Sequence, residues 1–167
     1  MNNKKQAIIL DIDNTIVKDI INVDLPQNNT REEWDKFHKS KLYYIPELYK
    51  IIKPIQDLIQ RYLYSFEDVP HIIFMTARED TADGVIKYNT IRTIEEFLNG
   101  LNVSYDLYMR DENDYRDSFL VKEDLFKKFI LNKYDILFVF DDDESNIKMF
   151  NRNNVSTLKV GVNDGQK

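Results

Sequence analysis

The sequence predicts an α/β fold built on a doubly wound, parallel β-sheet. Short apolar runs, such as residues 7–10 and 136–140, alternate along the chain with segments in which apolar residues recur at helical spacing. The runs are continuous rather than alternating, which is typical of strands buried on both faces of a parallel sheet. This order of strands and helices favours a Rossmann-like sheet that binds its ligands at the carboxyl ends of the strands.

The first half of the chain begins this alternation. Residues 7–10 form the first predicted strand, and charged residues follow it at once. A capping-box pattern that starts at Thr30 predicts a short accessory helix. Pro54 suits the first turn of a longer helix, whose apolar residues repeat every three or four positions. We therefore expect a single domain over residues 1–167 with a small helical insertion at about residues 19–54.

The second half of the chain continues the pattern. We predict a helix that ends near Gly100 and another that begins near Ser118, in which Val121, Leu125 and Phe129 share one side. A last helix follows the fourth strand. The strands of the sheet after the first are predicted at residues 71–75, 105–109, 136–140 and 157–160.

The composition excludes several classes of protein. The 167 residues include no cysteine, two histidines and 29 acidic residues, so any metal would be a hard cation such as Mg²⁺ bound by oxygen. A net charge of −6 excludes a chain-wide basic field, and contacts with nucleic acid must therefore be local. The apolar run near the N-terminus is too short for a signal peptide or a membrane span. We expect a cytoplasmic protein with no membrane partner.

Two aspartates follow the first predicted strand. Asp11 and Asp13 stand two positions apart, so in an extended chain both carboxylates point to one side while Ile12 points to the core. Like charges this close raise the pKa of one group and attract a cation. The pair suits either a metal site or a nucleophile with a general acid.

Three further features fall at the same predicted edge of the sheet. Thr76 and Arg78 follow the second strand of the sheet, Lys122 lies early in a helix, and Asp141 and Asp142 follow the strand at residues 136–140. Taken singly, each has a plain structural explanation as a helix cap, a solvated lysine or a polar turn. Their joint placement supplies a hydroxyl donor, fixed cations and oxygen ligands, which favours a phosphoryl-transfer site.

The order of these motifs resembles that of the haloacid dehalogenase (HAD) phosphatase superfamily. Its members carry a strand-terminal Asp-x-Asp-x-Thr, a Ser or Thr after the next strand, a lysine and a late acidic pair. Response-regulator receivers also combine acids, Thr and Lys on such a sheet, but their acidic pair comes first. The late position of Asp141 and Asp142 excludes that alternative.

A closer resemblance extends over nearly the whole chain. The segments at residues 34–38, 109–117, 121–123 and 138–142 are similar to the phosphatase domain of phage-type polynucleotide kinase–phosphatases, which removes 3′-phosphates from nucleic-acid ends. The kinase half is not expected, because the sequence contains no Gly-x-x-x-x-Gly-Lys-Ser/Thr motif. Four positions depart from the family pattern, where two glycines and two basic residues are usual: Asn14, Ala77, Asp143 and Asn151.

The resemblance implies a role for each candidate residue. Asp11 would be the nucleophile and Asp13 the general acid, while Thr76 and Lys122 would stabilise the phosphoryl group. Mg²⁺ would be held by Asp11, the backbone carbonyl of Asp13 and Asp142, with Asp141 at the edge of the metal shell. The residues implied to bind the substrate phosphates are Arg78, Arg110 and Arg116.

The implied substrate is a 3′-phosphorylated end of DNA or RNA, with a separate kinase or ligase acting on the same ends. The small cap favours this, because an open site admits a polymer. Two alternatives stay open. One is a small-nucleotide phosphatase, and the other is an inactive HAD-like binding module, against which the complete set of catalytic residues argues.

Overall fold

A computed structural model of the protein describes residues 4–19, 46–65 and 69–161. Within these ranges the chain alternates between strands and helices as predicted. The elements in chain order are β1 (Lys5–Leu10), β2 (Val17–Asp19), β3 (Tyr49–Ile51), α1 (Lys53–Tyr64), β4 (His71–Asp80), α2 (Val85–Leu98), β5 (Tyr105–Asp111), α3 (Ser118–Leu125), β6 (Tyr134–Asp141), α4 (Glu144–Arg152) and β7 (Thr157–Lys159).

Five strands form one parallel sheet in the order β5-β4-β1-β6-β7. The strand order reverses at β1, which confirms the predicted doubly wound topology and places the switch point between β1 and β6. Leu10 is paired with both Phe74 and Phe140. Because of this register, the residues that follow the paired positions, including Asp11 and Asp141, lie side by side at the carboxyl edge.

The core has one layer on each face of the sheet. Ile8 and Leu10 pack on one face with residues of α1 and α2, such as Ile59 and Phe97. Ala7 and Ile9 pack on the other face with a cluster that includes Phe126, Ile130 and Phe150. Side chains from β1 thus point alternately into two buried layers, which is why its sequence reads as a continuous apolar run.

A two-stranded antiparallel hairpin, β2 and β3, flanks the site edge of the sheet. It brackets residues 20–45, which lie outside the described residues, as do the predicted accessory helix and residues 34–38. The single-domain organisation with an insertion at about 19–54 therefore stays a prediction. Within the described part of the chain, no helix is long and apolar enough to cross a membrane.

The helix after β5 ends in a π-helical turn that the sequence did not predict. Its last turn, Phe126–Ile130, is a π-helix rather than a continuation of α3. The wider turn inserts a residue into the repeat, so Phe126 and Ile130 are fully buried while Phe129 is 40% exposed. Val121, Leu125 and Phe129 line the same cavity, which agrees with the predicted shared side. Phe129 lies at the exposed end of that side, where it stacks on Tyr108 with ring centroids 5.5 Å apart.

This register predicts unequal effects of two similar substitutions. Phe126→Ala should lower the free energy of unfolding by roughly 3–5 kcal/mol, because it leaves a cavity in a closed core. Phe129→Ala should lower it by about 1 kcal/mol, since only a surface aromatic contact is lost. Urea denaturation of the two variants measures both values. Equal losses would contradict the π-helical register.

Candidate active site

Asp11 lies at the centre of the site, directly after β1. Its backbone N–H donates to the carbonyl of Phe140 at 2.9 Å, which joins the ends of β1 and β6. The next residues turn sharply, and the Thr15 hydroxyl donates back to Asp11 Oδ2 at 3.2 Å. Asn14 takes the left-handed conformation in this turn, with φ 57°. Asparagine tolerates that conformation better than other non-glycine residues, which accounts for its presence where the family has glycine.

Lys122 connects two strand ends. Lys122 belongs to α3, and its Nζ lies 2.7 Å from Asp11 Oδ1 and 2.7 Å from Asp141 Oδ2. The Lys122 side chain is 2% exposed. Burial opposes its charge, but the charges of Asp11 and Asp141 raise the pKa of Lys122 overall, so the ammonium is retained. Burial also raises the pKa of Asp11, and this effect exceeds the opposing influence of Lys122.

Asp141 is held from several directions. Besides Lys122, its carboxylate accepts bonds from the Asn146 amide at 3.0 and 3.1 Å and from the Asp143 backbone N–H at 3.0 Å. The Asp143 carboxylate in turn caps α4 by accepting from the N–H groups of Ser145 and Asn146. Asp143 therefore fills a structural role where the family usually has a basic residue. The sequence did not identify Asn146 as a residue of the site, although Asn146 lies at the start of a predicted helix.

Three carboxylates could hold a cation. Asp11, Asp141 and Asp142 each offer an oxygen, and these oxygens lie within 4.8 Å of one another. Burial, together with the neighbouring Asp141 charge, raises the pKa of Asp142 to about 6. A raised carboxyl pKa among like charges indicates a site that gains from a bound cation. The hard oxygen donors fit Mg²⁺, and Asp141 is the most heavily hydrogen-bonded of the three.

Arg78 is the largest fully buried side chain near the site, at 2% exposure. Its Nε and Nη2 donate to both oxygens of Asp13, with a shortest distance of 2.6 Å, and its Nη1 donates to Thr90 at 3.2 Å. The guanidinium also stacks 4.9 Å from the ring centroid of Tyr49. The structure thus brings Arg78 to the predicted general acid. Thr76 is buried beside it and accepts a bond from the Arg78 backbone N–H.

The other two candidate arginines lie at the rim. Arg110 donates from Nε to the Ala77 carbonyl and from Nη1 to the carbonyls of Asp114 and Arg116. Arg116 is half exposed and paired with Asp114 at 2.7 Å and Asp124 at 2.8 Å. Arg110 therefore joins β4 to the loop after β5 through main-chain carbonyls. Arg116 instead presents a charged side chain at the surface beside a cavity of about 530 Å³.

Comparison with known proteins decides the family. The sequence matches the family model of the polynucleotide kinase PNKP phosphatase domain over residues 5–165. The chain belongs to this family. The parallel sheet and the order of its motifs agree with the HAD phosphatase fold, and the family is that of a phosphatase domain. This confirms the resemblance found in the sequence. No curated protein sequence matches the chain.

Two solved structures share the fold. A chain in the structure of the Pnkp1/Rnl/Hen1 RNA repair complex superposes with a TM-score of 0.68 and 20% identity, covering 96% of this chain and 43% of that one. A chain in a structure of the Pnkp1/Rnl/Hen1 complex gives a TM-score of 0.64 and 23% identity, covering 96% and 47%. The present chain spans less than half the length of either.

The pKa of Asp142 leads to a testable pH dependence. A carboxyl whose pKa is raised on folding binds more protons in the folded state. Its contribution to stability is complete below its ordinary pKa of 3.8 and is lost as the pH rises through about 6. The melting temperature of the metal-free protein should therefore fall between about pH 4 and pH 7 relative to that of Asp142→Asn.

Differential scanning calorimetry of both proteins in a chelator measures this difference. Asp57→Asn, at an exposed position on α1, is the control and should run parallel to the wild type. A difference between wild type and Asp142→Asn that is flat across the pH range would contradict the assignment.

Proposed function

We propose that the protein removes a terminal 3′-phosphate from nucleic-acid ends through an aspartyl-phosphate at Asp11. The observation that carries this proposal is the buried Lys122 ammonium, 2.7 Å from Asp11 at the switch point of a sheet of the PNKP phosphatase family. A lysine in that position stabilises the attacking carboxylate and, later, the charge on the phosphoryl group. In this proposal Asp11 is the nucleophile and Asp13 the general acid, and Thr76 and Lys122 stabilise the phosphoryl group.

The acidic cluster supports a Mg²⁺ site. Asp11 and Asp142 would supply carboxylate oxygens, with the backbone carbonyl of Asp13 as a further ligand and Asp141 at the edge of the shell. When bound, Mg²⁺ reduces the repulsion between a carboxylate and a phosphate dianion. Asp141 is the weakest ligand of the set, because its oxygens already accept from Lys122 and Asn146.

In the first step, an Asp11 oxygen forms a bond to phosphorus as the ester bond to the 3′-oxygen breaks. Asp13 in its acid form donates a proton to that leaving oxygen. Arg78 fixes the orientation of the Asp13 carboxyl through hydrogen bonds from Nε and Nη2. One of these hydrogen bonds must break while the Asp13 carboxyl carries the proton. The Thr76 hydroxyl accepts from the Arg78 backbone N–H, and among the described residues it donates to no other group, so its hydrogen can be donated to a phosphoryl oxygen.

In the second step, the Asp13 carboxylate takes a proton from water, and the water oxygen attacks phosphorus. The bond between phosphorus and Asp11 breaks, which releases inorganic phosphate and restores both aspartates. Lys122 remains beside Asp11 and stabilises the negative charge that returns to the Asp11 carboxylate. The residues of the chain thus balance protons and charge over one turnover.

A polymer end is the proposed substrate. One solved neighbour is named the Pnkp1/Rnl/Hen1 RNA repair complex and the other the Pnkp1/Rnl/Hen1 complex. The family is named for a polynucleotide kinase, which supports a polymer end as the substrate. We infer that a separate ligase or kinase processes the same ends. Arg116 is the candidate for the strand backbone, because its side chain is half exposed even though it is paired with Asp114 and Asp124. The Arg78 side chain is buried, and Arg110 donates to main-chain carbonyls. The substrate is proposed as DNA or RNA.

The comparison of two substrates tests this assignment. A 3′-phosphorylated oligonucleotide should have a higher kcat/KM than a 3′-mononucleotide, because binding energy remote from the phosphate is used in the transition state. Arg116→Ala should reduce the oligonucleotide value more and flatten its salt dependence by roughly 0.7 per lost phosphate contact.

Arg61→Ala, on the exposed face of α1 near the opposite edge of the sheet, serves as the control and should change neither value. Equal kcat/KM for both substrates, with no differential effect of Arg116→Ala, would overturn the polymer assignment and favour a small-nucleotide phosphatase.

A further inference from the structure

Asn146 stands behind the lysine of the active site, at the far end of a buried polar chain. Its Nδ2 donates to both oxygens of Asp141, Asp141 accepts from Lys122 at 2.7 Å, and Lys122 donates to Asp11 at 2.7 Å. Asn146, Asp141 and Lys122 are each at most 2% exposed. Because these contacts are direct, the orientation of each group is set by the next.

We propose that Asn146 is a positioning residue for Lys122, acting through Asp141. The ammonium is shared between two carboxylates at equal distances, yet the reaction needs it beside Asp11 and the phosphoryl group. Donation from Asn146 takes up part of the negative charge of Asp141, which weakens its competing pull on Lys122. The same two bonds fix the rotation of the Asp141 carboxylate, and therefore the line along which Lys122 lies.

The side-chain amide of Asn146 has the one orientation in which Nδ2 can donate to Asp141. Asp143 accepts from the backbone N–H of Asn146 at 3.3 Å, which anchors the first turn of α4. If the amide were flipped, its oxygen would face the Asp141 carboxylate, and two acceptors would oppose each other. The geometry therefore requires Nδ2 toward Asp141.

The other half of the amide is unsatisfied. Among the described residues, Asn146 Oδ1 is buried without a hydrogen-bond partner. A buried acceptor without a partner destabilises the folded state, so hydrogen bonding of the whole side chain does not explain an asparagine here. The donor group toward Asp141 does explain it. Asn146 thus has a role in the site that is distinct from a role in stability.

This combination separates positioning from packing. Asp141 would keep Lys122 and the Asp143 N–H as partners without Asn146, so the fold should survive its replacement. Asn146→Ala removes the donor and leaves space, whereas Asn146→Leu removes the donor and fills most of the space. A packing role predicts that leucine restores what alanine loses, and a positioning role predicts that both lose it.

The test uses p-nitrophenyl phosphate as the probe with Mg²⁺, so it does not depend on the identity of the polymer. It does rest on the proposed roles of Asp11 and Lys122, and Asp11→Asn is included for that reason. Both Asn146 variants should lower kcat by about 10- to 100-fold. KM should stay within about threefold, because the ground-state contacts are unchanged. Their melting temperatures should lie within about 4 °C of the wild type.

Asn153→Ala, at the C-cap of the same helix, is the matched control. Its amide donates to Glu123 and to the Met149 carbonyl, outside the chain to Lys122, so its kcat should match the wild type. If Asp11→Asn is inactive but both Asn146 variants keep kcat within threefold of the wild type, the inference about Asn146 is overturned while the proposed mechanism stands. Recovery of full activity in Asn146→Leu would have the same consequence. An active Asp11→Asn would overturn the proposed mechanism and this inference together.

Discussion

The site depends on one buried ammonium held between two buried carboxylates. Lys122 reaches from α3 to Asp11 and Asp141, which terminate β1 and β6, and each contact measures 2.7 Å. Removing the Lys122 ammonium would leave two buried carboxylates uncompensated, and removing the carboxylates would leave the ammonium uncompensated. Either change is strongly unfavourable in a region that excludes water. The arrangement therefore fixes how the carboxyl ends of the two central strands and α3 meet. The register that aligns Leu10 with Phe140 supplies the backbone for it.

A second ion pair builds the other half of the site. Arg78 binds Asp13 and Thr90 while its guanidinium lies over Tyr49 at the end of the β2–β3 hairpin. This pair connects the turn after β1 with β4, with α2 through Thr90, and with the hairpin that brackets the insertion. Asp11 and Asp13, the proposed nucleophile and general acid, are thus oriented by different cations, on different sides of the same short turn. Such preorganisation spares the reaction the rearrangement of charged groups.

Much of this could be predicted from the sequence, because it depends on local patterns. Continuous apolar runs and helical repeats specified the parallel sheet, and residues at the ends of those runs had to meet at one edge. The acids Asp11, Asp141 and Asp142 were found in this way. What a side chain contacts was harder to predict. Arg78 carries the same charge whether it binds a phosphate or Asp13, and only the packing around Thr90 and Tyr49 distinguishes the two.

The sequence predicted neither the contact of Asn146 with Asp141 nor the π-helical turn Phe126–Ile130, for related reasons. An asparagine early in a helix gives no periodic signal, and its importance comes from a contact with Asp141 that only the turn at Asp143 creates. The π-turn shifts the apolar repeat by one residue, and both registers offer a phenylalanine, at 126 and at 129. Asn14 and Asp143 show the converse. Each departs from the family pattern, yet a left-handed turn and a helix cap explain them from local geometry.

The most direct test of the mechanism is chemical trapping of the intermediate. Asp13→Asn lacks the base for hydrolysis, so with p-nitrophenyl phosphate, whose leaving group needs no acid, a phosphorylated Asp11 should accumulate. Reduction of this acyl phosphate with borohydride and peptide mass spectrometry should find homoserine at position 11, and only in samples that received substrate and Mg²⁺. A released nitrophenolate burst with no modification at Asp11, or with modification at another carboxylate, would contradict the account.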